Sequence, residues 1–182
     1  MMKSDPRWLT ALHEAAHAVA ALALGGRALG LAILNDDSGM AQSDELLMDR
    51  HTFAVAAGPA AEKLVEQYPA PERVITDAKL LTVDQIEALP IFASSPLMAC
   101  QLARPAGDRR HCESDERVIA LWVVDCHEHQ PETWARRAEY AHFMGGVIVD
   151  QNADKIVRVA TALYARGSLS EAEILSHLNG EI

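Results

Sequence analysis

Leu12-His13-Glu14-Ala15-Ala16-His17-Ala18-Val19 is the stretch on which the reading of this chain turns. Asp5-Pro6 stands upstream as a helix N-cap followed by proline at the first helical position. Leu9, Leu12, Ala16, Val19, Ala20 and Ala23 then recur at helical spacing, and Gly25-Gly26 supplies a stop. The pattern predicts a helix over about 6–24. Residues four apart share one face of a helix, so His13 and His17 can present two imidazoles to one Zn²⁺. Glu14 lies one turn before His17, within reach of a water that such an ion activates. That spacing suits a carboxylate that takes the water's proton and returns it to a leaving amine.

Outward from the helix, 28–34 is a short apolar run ending in the turn-rich Asn35-Asp36-Asp37-Ser38-Gly39, which reads as a strand and a turn. Ser43 is placed to cap a second helix running to about Ala57, with Gly58-Pro59 interrupting it and a further turn through Lys63, Leu64 and Val65. Five of the eight prolines fall within 68–110, where the only regular element expected is a short helix near 83–89. Regularity returns with a helix at about 115–127. Pro131 then opens a long helical pattern through Trp134, Ala138, Ala141 and Val149, with Gly145-Gly146 as its weak point. The pattern continues from Asn152 to a stop at Gly167. Ser170 and Glu173 form a capping-box pair for a terminal helix. The fold class expected is mainly α, a helical domain with a short β-strand or hairpin beside the motif helix. The whole of 1–182 reads as one domain, with an irregular proline-rich insertion at about 67–111.

Composition narrows the partners. Of 182 residues 49% are hydrophobic but only 5% aromatic, so the core must be built from Ala, Leu, Val and Ile. Sixteen Lys and Arg stand against 26 Asp and Glu, for a net charge of −10, which argues against nucleic acid as a partner. Three irregularly spaced cysteines argue against a disulfide framework and fit a cytoplasmic location. The apolar stretch 18–34 is broken by Gly25, Gly26, Arg27 and Gly30, so no membrane insertion is expected. Nor does the N-terminus carry a signal peptide's apolar core.

Four segments in order resemble one family. Leu12 to Val19 looks like the active-site helix of the FtsH-type zinc metalloproteases. Ala57-Gly58-Pro59-Ala60-Ala61-Glu62 resembles that family's second helical motif. Glu113-Ser114-Asp115-Glu116 resembles the segment in which the family places its third zinc ligand, an Asp opening a helix. Residues 152–174 resemble its C-terminal helices, with Leu163, Gly167, Leu169 and Glu173-Ile174 in order. Ala16 stands where the family usually has Gly, and Pro59 replaces its usual Arg. The stretch 67–111 is much longer than the family's link.

The resemblance implies a fold, a zinc cofactor and a ligand set of His13, His17 and an Asp. Asp115 is favoured because it opens a helix that leads into the C-terminal helices, and a site needs ligands on rigid elements. Asp77 lies closer to the family's spacing from Glu62 and is the alternative. Glu62 reads either as a carboxylate that supports a zinc-bound imidazole or as an ordinary exposed helical Glu.

FtsH-type proteases carry an ATPase module and membrane helices. No Gly-x-x-x-x-Gly-Lys-Ser/Thr occurs here. The expectation is an ATP-independent zinc metalloendopeptidase acting on peptides or unfolded protein segments, with Glu14 as catalytic base. The alternative is a catalytically silent zinc-binding or protein-interaction module on the same fold. The reading leaves room for a homo-oligomer.

The run 29–34 reads either as an edge strand that pairs with an extended substrate or as a strand that merely covers the core. His111-Cys112 with Cys126-His127 and His129 is a second metal-ligand set by residue type. Its spacing matches no compact knuckle, and buried cysteines with helix-end histidines are the favoured reading. Cys100 has no activating base nearby in sequence.

Overall fold

A computed structural model of the chain describes residues 5–34, 37–44, 46, 48–71 and 115–180. The expected helix near 83–89, Asp77, Cys100, His111 and Cys112 lie outside the described residues.

Helix α1 (Pro6–Ala23) begins where the sequence says it should. The Asp5 carboxylate accepts from the Arg7 backbone N–H at 3.0 Å and, through its other oxygen, from the Tyr164 hydroxyl at 2.6 Å. One residue thus caps α1 and ties it to a helix more than 150 residues downstream. Trp8, which is buried, packs edge-on to Tyr164 and donates its indole N–H to the Tyr68 carbonyl at 2.8 Å. At its other end α1 passes into Gly25 at φ 84°, the left-handed geometry that glycine adopts without strain.

Strand β1 (Arg27–Ile33) returns along α1 and pairs antiparallel with β2 (Gly39–Asp44). The turn between them closes with the Leu34 N–H donating to the Ser38 carbonyl at 2.7 Å. Thr10 of α1 pins this turn by donating its hydroxyl to the Asp37 carbonyl at 2.6 Å. Ser43 therefore does not cap a helix. It sits in β2 opposite Ala28, and helix α2 (Met48–Ala61) starts five residues later. The alternation from Met40 to Asp44 is too polar to have announced a strand, because β2 is only half-buried.

A short strand β3 (Ser168–Ser170) completes the sheet in the order β2-β1-β3. The edge-strand reading of 29–34 is thereby corrected: β1 has a partner on both sides, and its last four residues, Gly30 to Ile33, are paired or covered.

Gly58-Pro59 does not interrupt α2, which runs through both and tightens into a 3₁₀ turn at Glu62–Glu66. Proline has no N–H to donate to the Val55 carbonyl, but the remaining ladder and the packing of Ala54, Ala57 and Ala61 carry the helix through. Helix α3 (Asp115–Cys126) turns back through a second 3₁₀ segment (Pro131–Thr133) into α4 (Trp134–Arg166). The weak point of α4 is not Gly145-Gly146, which is regular helix. It is Asn152, at φ −124° and ψ 17°, whose side-chain amide donates to the Ile148 carbonyl at 2.9 Å. Gly145 instead allows contact, since its bare Cα rests on the backbone of Ala56.

Gly167 ends α4 in the left-handed conformation. The Ser170–Glu173 capping box forms as expected and starts helix α5 (Glu171–Asn179).

The core lies where α1, α2 and α4 meet over the sheet. It holds Leu12, Val19, Ile156, Leu163 and Ile174 among a large set of buried alanines. Small side chains let the helix axes approach closely, which is how a chain with so few aromatics reaches a packed interior.

Candidate metal centre

Three side chains from two helices converge on one point. α1 supplies His13 and His17 one turn apart, with ring centroids 4.8 Å from each other. The first residue of α3 supplies Asp115, whose Oδ2 lies 2.9 Å from His13 Nε2 and 3.6 Å from His17 Nε2. One ligand atom from each of the three residues falls within 4.8 Å of the others, the only such group among the described residues. In a tetrahedral zinc site with bonds near 2.0–2.1 Å, ligand atoms are about 3.4 Å apart. The two carboxylate–imidazole distances bracket that spacing, and two nitrogens with one oxygen are a donor set that zinc accepts.

The other ring nitrogens are held from behind. His17 Nδ1 donates to the Ala54 carbonyl at 2.9 Å, and His13 Nδ1 donates to Glu62 Oε1 at 3.1 Å. Both partners can only accept, so both rings keep a proton on Nδ1 and turn Nε2 toward Asp115. Glu62 therefore does more than an exposed helical Glu: it fixes the orientation of the His13 ring. Gly58 makes room for this arrangement, because a Cβ there would overlap the His17 ring and stand 2.7 Å from His13 Nε2.

The electrostatics favour a positive charge at the centre. Burial works against the charged form of His13, yet Asp115, Glu14 and Glu62 outweigh it and raise its pKa to about 9. For Asp115 burial would raise the pKa, but the His13 hydrogen bond and the charges of His17, His13 and His142 outweigh it and lower it. His17 moves the other way, lowered by burial despite Asp115.

Glu14 is buried, with only 7% of its surface exposed. Burial raises its pKa to about 7, with His13 opposing and Asp115 adding to the shift. Its side chain lies against Gly39, the first residue of β2, where a Cβ would collide with the Glu14 carboxyl carbon. Sequence reasoning did not single out Gly39. Its signal was the turn-rich Asp37-Ser38-Gly39, which reads equally well as a plain hairpin turn.

The second metal-ligand set does not assemble among the described residues. His127 Nε2 stands 3.6 Å from Asp49 Oδ1, and His129 is almost fully exposed beside Glu128. Both follow the end of α3, as helix-end histidines do.

The model of a Peptidase M50B-like family matches residues 7–65, which cover nearly all of α1, the hairpin, α2 and most of its 3₁₀ turn. This is a metallopeptidase family, and the match supports a metallopeptidase in general and implies a metal cofactor. It is a different family from the FtsH-type proteases that the four segments resemble. No curated protein matches the chain. No described helix is long and apolar enough to cross a membrane.

Proposed function

We propose that the protein is a zinc-dependent endopeptidase that hydrolyses peptide bonds in peptides or unfolded protein segments without ATP. The observation that carries this is the convergence of His13, His17 and Asp115 with both imidazoles anchored through Nδ1. The family match over 7–65 supports the peptidase part of it.

His13 and His17 through Nε2 and Asp115 through a carboxylate oxygen would hold the ion. Zinc bound there supplies Lewis acidity, polarising the scissile carbonyl and making a water more acidic. Glu14 takes the proton from that water as it attacks the carbonyl carbon. The same carboxyl then gives the proton to the departing amine nitrogen as the C–N bond breaks. Glu62 and the Ala54 carbonyl hold the two imidazoles in the tautomer that ligates.

The role first considered for β1 passes to β2. It is a sheet edge among the described residues and begins at Gly39, against Glu14. An extended substrate added to that edge would run past the catalytic carboxylate, which favours unfolded segments over folded domains. A cytoplasmic setting without membrane insertion or nucleic acid is the companion reading, supported by the acidic charge and three scattered cysteines.

The test is metal analysis of the purified full chain, with Asp115→Ala and Asp77→Ala measured side by side, and hydrolysis of casein. Near-stoichiometric zinc that is lost in Asp115→Ala and kept in Asp77→Ala, with casein cleavage, is the expected result. A folded wild type without zinc overturns the reading. Zinc without cleavage leaves the silent binding module in its place.

A further inference from the structure

A cavity of about 90 Å³, open to solvent, lies between α2, α3 and α4. One of its walls is Trp122, seven residues after Asp115 on α3. At 1.5 Å per residue it stands roughly 10 Å along that helix from the metal centre. None of the residues that hold the ion or move the proton lines it.

The lining divides by chemistry. One part is apolar. Val123 is buried, and the Phe53 and Tyr140 rings meet edge-on with their centroids 5.6 Å apart. Trp122 joins them and is itself held by the His51 ring, 4.6 Å away between centroids. The other part is charged, and its centre is Arg137 of α4. The Arg137 Nε–H donates to Thr133 Oγ1 at 3.0 Å, and Nη2 donates to Gln130 Oε1 at 3.3 Å. Thr133 is fixed in turn by donating its hydroxyl to the Gln130 carbonyl at 2.8 Å. The guanidinium is thus positioned by two neutral oxygens at the turn before α4. It has five N–H donors, so three remain.

No carboxylate pairs with Arg137 among the described residues. That is unexpected in a chain with 26 acidic residues against 16 basic ones. Asp49 lines the same cavity, but its Oδ1 faces His127 Nε2 at 3.6 Å and makes no ion pair with Arg137. A half-buried cation, anchored only by neutral groups beside a ring-lined cavity, is built to receive an anion. The volume limits what else that anion carries. A cavity of about 150 Å³ takes a benzene ring, so this smaller one suits a branched aliphatic group.

We propose that this cavity binds a carboxylate carried on a small branched aliphatic group. Arg137 takes the carboxylate, and the aliphatic group packs against Phe53, Trp122 and Tyr140. The planar guanidinium matches a carboxylate with two parallel hydrogen bonds, which an amine of the same shape cannot accept. Asp49 excludes a second negative charge at the far side. A free short-chain acid and the C-terminal leucine or valine of a peptide present the same chemistry. The site does not depend on the peptidase reading and has its own test.

Isovalerate, isoamylamine, an acetylated tripeptide ending in leucine and the C-terminal amide of that tripeptide are titrated into the full-length protein. A chelator is present, so that a carboxylate on a metal ion is not counted, and the ligand methyl NMR signals report binding. Isovalerate is expected to bind with a Kd of about 1 mM, ordinary for so small a ligand. Isoamylamine binds at least about tenfold more weakly, and so does isovalerate to Arg137→Gln. Tyr140→Ala, at an exposed position, weakens binding several-fold, and both variants melt with the wild type. A tripeptide that binds more tightly than isovalerate, with its amide failing, identifies a peptide C-terminus as the ligand. Isovalerate binding without the tripeptide identifies a free acid.

No binding of either acid up to about 10 mM overturns the proposal. So does an amine or amide that binds as tightly as its acid, or unchanged affinity in folded Arg137→Gln. Should Arg137→Gln fail to fold, Tyr140→Ala and the comparison of acid with amine in the wild type decide the same question.

Discussion

Gly58 of α2 lies directly against the imidazole of His17, so closely that a Cβ would overlap the ring. Its backbone is ordinary helix, so the glycine is there for space and not for conformation. Gly58→Ala would push the ring and its Nδ1 bond to Ala54 out of place. The expected result is zinc bound at least 10-fold more weakly, the size of effect that disturbed supporting contacts produce. Overpacking of this kind also costs about 1–3 kcal/mol of stability. Zinc titration with a competing chelator, beside a thermal melt, checks both. Zinc affinity equal to wild type would show that the ring does not depend on this contact.

Glu14→Gln keeps size and hydrogen-bonding shape but cannot accept a proton. It should retain zinc, because Glu14 is not among the converging ligand atoms. Peptide hydrolysis should fall about 10²–10⁴-fold, the range for removing a general base. Metal analysis and initial rates on one preparation decide this, and appreciable residual hydrolysis would move the base to another residue.

The helices that build the site were legible because their signals are local. Asp5-Pro6 and Gly25-Gly26 bracket α1 by cap and stop chemistry alone, and the four-residue spacing of His13 and His17 needs nothing beyond a helix. Ser170 and Glu173 cap α5 for the same reason. What was misread depends on contacts between distant segments. Ser43 looks like a cap until β1 arrives to pair with it, and Gly145-Gly146 looks like a break until Ala56 packs on Gly145. Asp115 was favoured over Asp77 only by its place at a helix start. Its position beside His13 follows from how α3 docks on α2, which no local pattern encodes.

Gly39→Val adds a branched side chain where a Cβ alone already meets the Glu14 carboxyl. The carboxylate would be displaced while His13, His17 and Asp115 keep their geometry. Hydrolysis should drop at least about 10-fold with zinc content unchanged, since small misplacements of a reacting group carry large rate costs. Rates and metal content of the variant check it. A loss of zinc would mean that the hairpin supports the ligands and not only the base.

The metal-free protein should lose stability as pH rises. Glu14 has its folded pKa raised to about 7 from an ordinary 4.5. Its contribution is complete below about 4.5 and is lost as pH climbs through 7. His13, raised to about 9 from 6.5, contributes fully below 6.5 and loses that through 9. Asp115, whose pKa is lowered, contributes in the opposite sense, with stability lost at the acid end. Stability in the presence of a chelator, and with it the melting temperature, should therefore fall steadily from about pH 5 to pH 9, the stability by about 3 kcal/mol at most for each raised group. Glu14→Gln should flatten the lower half of that slope and also shrink the upper half, because the Glu14 charge is one of the groups that raise His13. Zinc replaces the proton that His13 and Asp115 share, so its stabilisation should grow over the same range. Melts of the two proteins with chelator and with zinc, at unit steps of pH, measure this directly. A wild-type profile that rises toward pH 9 without metal would contradict the charge arrangement at the centre.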